Sequence, residues 1–358
     1  MASRSASEKW LVELASIPTA SGVEDQVISW VRSWAGRRSD LELVSDSGGN
    51  LLITQKGKKR HEYVFAVAHM DHPAFVVNDV AGTEATVEFR GGVRAEYFAG
   101  ARIVFMTGNG KAGRVVTYAP ETRTGTIRVS GPAPAVGDIA RWQFAPRRAI
   151  PSRLLAPAFD DLAGCAAALA ALDRARGNDD LRHFGVLLTR AEEVGFIGAL
   201  HAARSGSIPS GARLLSIEAS RASDDAPIGA GPVIRVGDAS TVFDHELTNL
   251  ISRAAGRSDI VHQRKLMAGG SCEATAFGAY GYRATGLCLP LGNYHNMGNL
   301  DDVERGTGDA RAMLEEISLA DFHGLTDLLL VAASAVDEDS DLPKRLDSLY
   351  REARHLLT

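Results

Sequence analysis

The segment AVAHMDH sets His69 and Asp71 directly after the apolar run YVFAVA. In extended backbone, residues two apart point to the same side, so Asp71 can accept from one ring nitrogen of His69 while the other is aimed at a metal. The same pair would also serve as a solvated His and Asp at a strand end. A second acidic pair, Asp160 and Asp161 in PAFDDLAG, opens an Ala-rich stretch. Capping of a helix N-terminus, worth about 0.3–1 kcal/mol, accounts for one of these carboxylates and leaves the other unexplained. Glu192 and Glu193 in LLTRAEEVGF are neighbours that repel, so that without a cation one would stay protonated. A nearby dication removes that penalty and lets one act as ligand and the other as base. Glu218 ends the run LLSIEA and is weak evidence alone, and His295 lies in the Gly- and Asn-rich loop GNYHNMGN after ATGLCLP.

All five clusters fall at the carboxyl ends of expected strands, where open α/β sheets place their ligands. Two histidines and three carboxylates satisfy two borderline-soft dications if one aspartate bridges them and each ion keeps an open place for a shared water. Such a water is a nucleophile near neutral pH, and a remaining glutamate would serve as general base and then protonate a leaving amine. Two other motifs lack the context their chemistry needs. GNGKAG at residues 108–113 satisfies G-x-G-x-x-G, but the strand-like RVVTY follows it instead of a helix, so a hairpin turn is expected. GGSCE at residues 269–273 lacks the last glycine of a nucleophile elbow, and Cys272 reads as a small buried residue.

The elements that must carry these residues alternate. Residues 7–35 show helical spacing broken at Pro18, giving two helices joined at PTASG with Ser21 as the expected cap of the second. LLITQ and YVFAVAH are continuous in apolar residues, as strands covered on both faces are. From residue 160 onward strand and helix alternate, ending in a helical stretch from about 309 to 356. Between residues 72 and 159 the texture differs: TVEFR, RIVFM, RVVTY, TIRVS and IARWQF are short alternating runs punctuated by Gly, Pro and Asn. The expected fold is α/β, a mostly parallel sheet with helices on both faces, plus an inserted small antiparallel β-barrel. The expected division is a catalytic domain of residues 1–71 and 160–358, with residues 72–159 as the inserted β domain governing oligomerisation or substrate access.

Composition excludes several classes. The 358 residues are 45% hydrophobic and 23% charged, and 39 basic against 44 acidic residues leave a net charge of −5, so no basic field recommends nucleic acid. No apolar run reaches membrane-spanning length, and the N-terminus lacks a signal-peptide core. Three widely spaced cysteines suit a reducing compartment, and a cytoplasmic location is expected.

Taken in order, TASGVEDQV, DSGGNLLI, AHMD, FDDLAG, EEVGFIGA, GPVIRVGDAS, GGSCEATAF and YHN resemble the M42 family of dinuclear metallo-aminopeptidases, whose wider clan includes the M20 and M28 peptidases. The β insert between the HxD and DD motifs matches the M42 arrangement. The resemblance implies a metallo-aminopeptidase acting on peptides, with two divalent ions, zinc foremost and cobalt or manganese as alternatives. It implies His69, Asp160 and Glu218 around one ion and Asp160, Glu193 and His295 around the other, Glu192 as base, and Asp71 as the orienter of His69. It further implies a cis Asp160–Asp161 peptide and a homo-oligomer, often a dodecameric shell. The chain departs from the family pattern at His72 and Pro73 after Asp71, at Glu218 in place of aspartate, at GGSCEA in place of GGTDA, and at Asn296 in place of serine. None removes an implied ligand, and His72 is expected to be a solvated loop residue. Two other readings of the same scaffold are an amidohydrolase or deacylase acting on a small N-acyl or amide metabolite, and a non-catalytic assembly protein.

Overall fold

A computed structural model describes residues 3–106, 111–144, 150–336, 338 and 342–357. Two helices, α1 (Arg4–Leu14) and α2 (Asp25–Gly36), precede the strands β1 (Leu41–Ser45), β2 (Leu51–Gln55) and β3 (Val64–His69). After the barrel described below come β10 (Arg153–Ala156), α3 (Leu162–Ala175), β11 (Phe184–Thr189), α4 (Ile197–Ser205), β12 (Arg213–Arg221), β13 (Val233–Gly237) and α5 (His245–Arg257). Next follow β14 (Gln263–Leu266), α6 (Glu273–Ala279), β15 (Arg283–Leu291), α7 (Leu300–Glu304), α8 (Leu319–Ser334) and α9 (Leu342–Ala353). The main sheet has the order β1-β2-β11-β3-β12-β15-β13-β14, parallel through the run β11-β3-β12-β15 that forms its centre.

That centre is apolar on both faces because helices cover both. Along β3, Val64, Ala66 and Ala68 enter the larger core with residues of α1, α3, α5 and α8, while Phe65 and Val67 enter a second core with residues of α4 and α6. Helix α3 is nearly all alanine and leucine and almost wholly buried, as a helix apolar all round must be. Its small side chains let its axis approach the sheet.

Residues 74–142 supply a closed antiparallel barrel of order β4-β5-β8-β7-β6-β9. Its strands are β4 (Ala74–Ala81), β5 (Glu84–Arg90), β6 (Arg102–Phe105), β7 (Ala112–Ala119), β8 (Thr124–Ser130) and β9 (Ile139–Trp142). Closure removes the exposed edges that such short strands would otherwise present. The interior is aromatic: Phe75, Phe89, Phe98 and Trp142 meet edge to face with centroids 4.9 to 5.7 Å apart. β7 begins at Ala112 inside GNGKAG, whose residues 108–110 lie outside the described set.

Two local expectations need correction, at Ser21 and in the stretch from residue 309. Ser21 does not cap α2, which starts at Asp25 without a side-chain cap; the Ser21 hydroxyl instead donates to Asp71. EEVGF is a turn, and helix α4 begins only at Ile197. The stretch from residue 309 is not helical throughout, because Glu315–Ser318 is a strand antiparallel to β10, and Ser318 then accepts the Asp321 N–H to start α8. Glu315 is buried and binds backbone N–H groups of the strand-to-helix turn before α3, a demand that overrides the helical look of LEEIS. Among the described residues, no helix is long and apolar enough to cross a membrane.

Phe89→Ala would open a cavity at the centre of the barrel's aromatic cluster. Chemical denaturation should register a loss of about 3–5 kcal/mol; a loss below about 1 kcal/mol would mean that the barrel interior is not close-packed.

Candidate metal centre

His69 is the last residue of β3 and turns its ring into the rim of the sheet. Its Nδ1 lies 3.2 Å from the main-chain oxygen of Asp71 and 3.4 Å from that residue's Oδ1. Both neighbours are acceptors, so Nδ1 carries a proton, and Nε2 would present its lone pair to a cation held between the carboxylates. Nε2 stands 3.4 Å from Asp160 Oδ1, 3.8 Å from Glu218 Oε2 and 3.9 Å from Glu192 Oε2. His295 repeats the arrangement from the opposite side. Its Nδ1 donates to the carbonyl of Gly92 at 2.6 Å, and its Nε2 lies 3.2 Å from Asp160 Oδ2 and 3.1 Å from Glu193 Oε1. Asp160 therefore reaches both imidazoles, one with each carboxylate oxygen.

The structure thus brings together all seven residues singled out by the sequence. Donor atoms of His69, Asp160 and Glu218 lie within 4.8 Å of one another, and so do those of Asp160, Glu193 and His295, and of His69, Glu192 and Glu193. Asp71 is the hub behind them. Its Oδ1 accepts the Glu192 N–H at 3.0 Å, and its Oδ2 accepts the Glu193 N–H at 3.2 Å and the Ser21 hydroxyl at 2.6 Å. The Asp160–Asp161 peptide is cis, as the resemblance implies. Asp161 accepts the Gly164 N–H at the head of α3, and only a glycine fits there, since a Cβ would meet the Asp161 carboxylate at 2.3 Å.

Electrostatics identify what the cluster is built to hold. Burial opposes charge on both imidazoles, but the surrounding carboxylates outweigh it and push both well above the ordinary histidine range; they are Asp160, Asp71 and Glu218 for His69, and Glu193 and Asp160 for His295. Burial and the nearby Glu218 raise the Glu192 carboxyl well above its usual range, and burial also raises Glu193. Asp160 goes the other way, because His295 and His69 outweigh its burial. His69 Nε2, Asp160 Oδ1, Glu193 Oε1 and Glu218 Oε1 are buried without a hydrogen-bond partner. Buried donors and acceptors are almost always satisfied, so unsatisfied atoms converging on one space fit a cation. Imidazole with carboxylate donors suits zinc, cobalt or manganese.

Several supporting residues escape sequence reading. Glu24 accepts the N–H groups of Gly22 and Ala191 and the side chain of Arg190, pinning the turn before Glu192. Gly198 lets α4 close on that turn, since a Cβ there would sit 2.4 Å from the Arg190 carbonyl. Glu315 accepts the Phe159 and Asp160 N–H groups at 2.6 and 3.1 Å. His72 is not solvated but 5% exposed, and its Nδ1 donates to the Asp160 carbonyl at 2.6 Å. Its Nε2 lies 3.2 Å from Asn296 Oδ1, and burial lowers its pKa to about 4. Asn296 donates to the carbonyls of Pro157 and Met313. Two departures from the family pattern, at residues 72 and 296, thus touch each other beside Asp160. The sequence signals for them are a histidine next to Asp71 and an asparagine next to His295. All three cysteines are buried, and burial raises the Cys272 thiol, so it is no nucleophile.

Residues 134–307 match the M42 glutamyl aminopeptidase family. No curated protein sequence is detectably similar to the chain. Among solved structures, an aminopeptidase of the archaeon Desulfurococcus kamchatkensis is 23% identical with a TM-score of 0.75, over 93% of this chain and 95% of that one. The TET aminopeptidase of a marine-sediment Thaumarchaeota archaeon is 21% identical with a TM-score of 0.75, over 93% and 97%. The TET1 peptidase of Pyrococcus horikoshii, described as assembling into a tetrahedron or a large octahedral shell, is 20% identical with a TM-score of 0.73, over 91% and 99%. At these identities the likeness shows the fold.

Asp71→Asn keeps the shape of the hub but gives it a donor where three N–H or O–H groups now point. Zinc affinity measured by calorimetry should fall about 10- to 100-fold; unchanged affinity would show that Asp71 does not orient the centre.

Proposed function

We propose that the chain, whose residues 134–307 match the M42 glutamyl aminopeptidase family, is a metal-dependent aminopeptidase that removes N-terminal residues from peptides at a two-ion centre with Glu192 as general base. The observation that carries this reading is the position of Asp160, common to the His69–Glu218 group and the Glu193–His295 group. In this assignment His69, Asp160 and Glu218 hold one ion, and Asp160, Glu193 and His295 hold the other. Zinc is the first candidate, ahead of cobalt and manganese. Bound there, the ions would polarise the scissile carbonyl and make an attacking water acidic.

The remaining steps belong to the chain itself. Glu192 has no ligand duty in this assignment, and its backbone N–H is fixed by Asp71, so its carboxyl faces the same space as His69 Nε2. It takes the proton of the attacking water and returns it to the leaving amine. Glu193, its neighbour, turns to His295 instead, so the pair divides into base and ligand.

A cavity of about 440 Å³ opens beside Glu218, lined by Arg94, Arg221, Arg235, Met267 and Tyr294 among others. Arg94 and Arg221 form ion pairs with Glu96 and with Asp301 and Glu304. Arg235 is 3% exposed, its Nε has no hydrogen-bond partner, and no ion pair to it occurs among the described residues. A buried guanidinium lining the same cavity as Glu218 favours an acidic side chain on the substrate's first residue, in keeping with the glutamyl specificity in the family's name.

In this reading residues 1–71 and 160–358 form the catalytic domain and residues 72–159 the inserted domain. The insert also takes part in the site, since Gly92 orients His295 and Tyr97 donates to the Gly298 carbonyl at 2.7 Å. By analogy with its structural neighbours the chain forms a homo-oligomer, with a dodecamer as first candidate. A cytoplasmic site of action accords with its three buried thiols.

Chelation should abolish cleavage of aminoacyl-anilides, and zinc, cobalt or manganese should restore it. N-acyl amino acids should remain uncut, whereas a deacylase would cut them and ignore the free amine. Glu192→Gln should lower turnover about 10²- to 10⁴-fold with metal content unchanged; near-normal turnover in the fully metallated variant refutes the base assignment. Arg235→Met should lower kcat/KM for a glutamyl substrate about 10- to 100-fold more than for an alanyl one, and equal losses would remove Arg235 from specificity.

A further inference from the structure

The C-terminal helix stands apart from both cores. No residue of α9 is buried, and Leu342, Leu346, Leu349 and Leu356 are 54, 54, 51 and 75% exposed. Tyr350 and Leu357 are exposed beside them. Positions 342, 346, 349, 353 and 356 alternate steps of four and three, the spacing of the apolar seam of a coiled coil, with Ala353 as the small member. A 12-residue helix is marginal in water by itself, so its apolar stripe needs a second surface.

Charge indicates which surface. Laid antiparallel on the α9 of a second copy, with Leu346 facing Leu349, the helix sets Leu342 against Ala353 and brings Arg345 beside Glu352 of the other copy. The two-fold symmetry of such a pair makes every one of these contacts twice. A parallel pairing in register puts Arg345 beside Tyr350 and Glu352 beside Leu357, so neither charge finds an opposite partner. Among the described residues, the Glu352 carboxylate accepts a hydrogen bond from Ser348 of its own helix and makes no ion pair. We propose that α9 is a self-association element, pairing antiparallel with α9 of a second copy of this chain through Leu342, Leu346, Leu349 and Ala353, with Arg345 and Glu352 fixing direction and register. The inference is independent of the catalytic reading, because α9 contributes no residue to the metal centre.

The test uses the full-length chain. In the L346C/L349C variant, mild oxidation should link two copies into a covalent dimer, since the three native cysteines are buried and would not compete. Adding Arg345→Glu places like charges together twice, and most of the covalent dimer should be lost. The further exchange Glu352→Arg should restore it. In a cysteine-unmodified background, Arg345→Glu should lower the particle mass measured by light scattering, with peptide cleavage retained as a control for folding. Absence of the covalent dimer, its indifference to the charge reversal, or failure of the double exchange to rescue it would each overturn the proposal. A Leu346→Asp variant of lowered Tm and unchanged mass would also overturn it, by showing that the helix packs on its own subunit.

Discussion

Asp160 must face two imidazoles at once, and the surroundings of the centre are arranged to hold it there. Its carboxylate oxygens lie 3.4 Å from His69 Nε2 and 3.2 Å from His295 Nε2, in a setting too buried for water to share the charge. A buried carboxylate in such a place is costly unless it is partnered on every side. The backbone around it is gripped accordingly, by Glu315 on its N–H and by His72 on its carbonyl. Those two side chains come from distant parts of the sequence, so the position of one aspartate depends on the whole fold being closed.

The parallel centre of the sheet supplies the other half of the arrangement. β3, β11, β12 and β15 end together at one rim, which is why His69, the Glu192–Glu193 turn, Glu218 and the His295 loop meet though they are far apart in sequence. Asp71 then ties two of those ends together by accepting the backbone of both glutamates. Repulsion between adjacent carboxylates is turned to use, because the turn sends Glu192 toward His69 and Glu193 toward His295.

Much of this is legible in the residues alone. Buried parallel strands betray themselves as unbroken apolar runs, the barrel by short alternating ones, and the acidic and imidazole groups by standing where those runs stop. What escapes is whatever depends on long-range partners. Glu315 looks like part of a helix because EEIS carries no strong strand signal, yet its carboxyl is claimed by the backbone at Phe159 and Asp160. His72 looks like a loop residue because nothing local shows that Asp160 and Asn296 will enclose it. Ser21 looks like a helix cap, and no local pattern could reveal that Asp71 takes its hydroxyl.

The contact between His295 and the carbonyl of Gly92 has a consequence for modularity. A barrel inserted between two motifs invites the view that it is an interchangeable attachment, to be trimmed or grafted at will. Yet Gly92, just past strand β5, fixes the tautomer of a histidine in the α/β body, so a transplant of the body alone would leave that ring free to rotate. The two parts are one structural unit: a change in the barrel that shifts this loop is felt at the rim that carries His295 without altering any residue there.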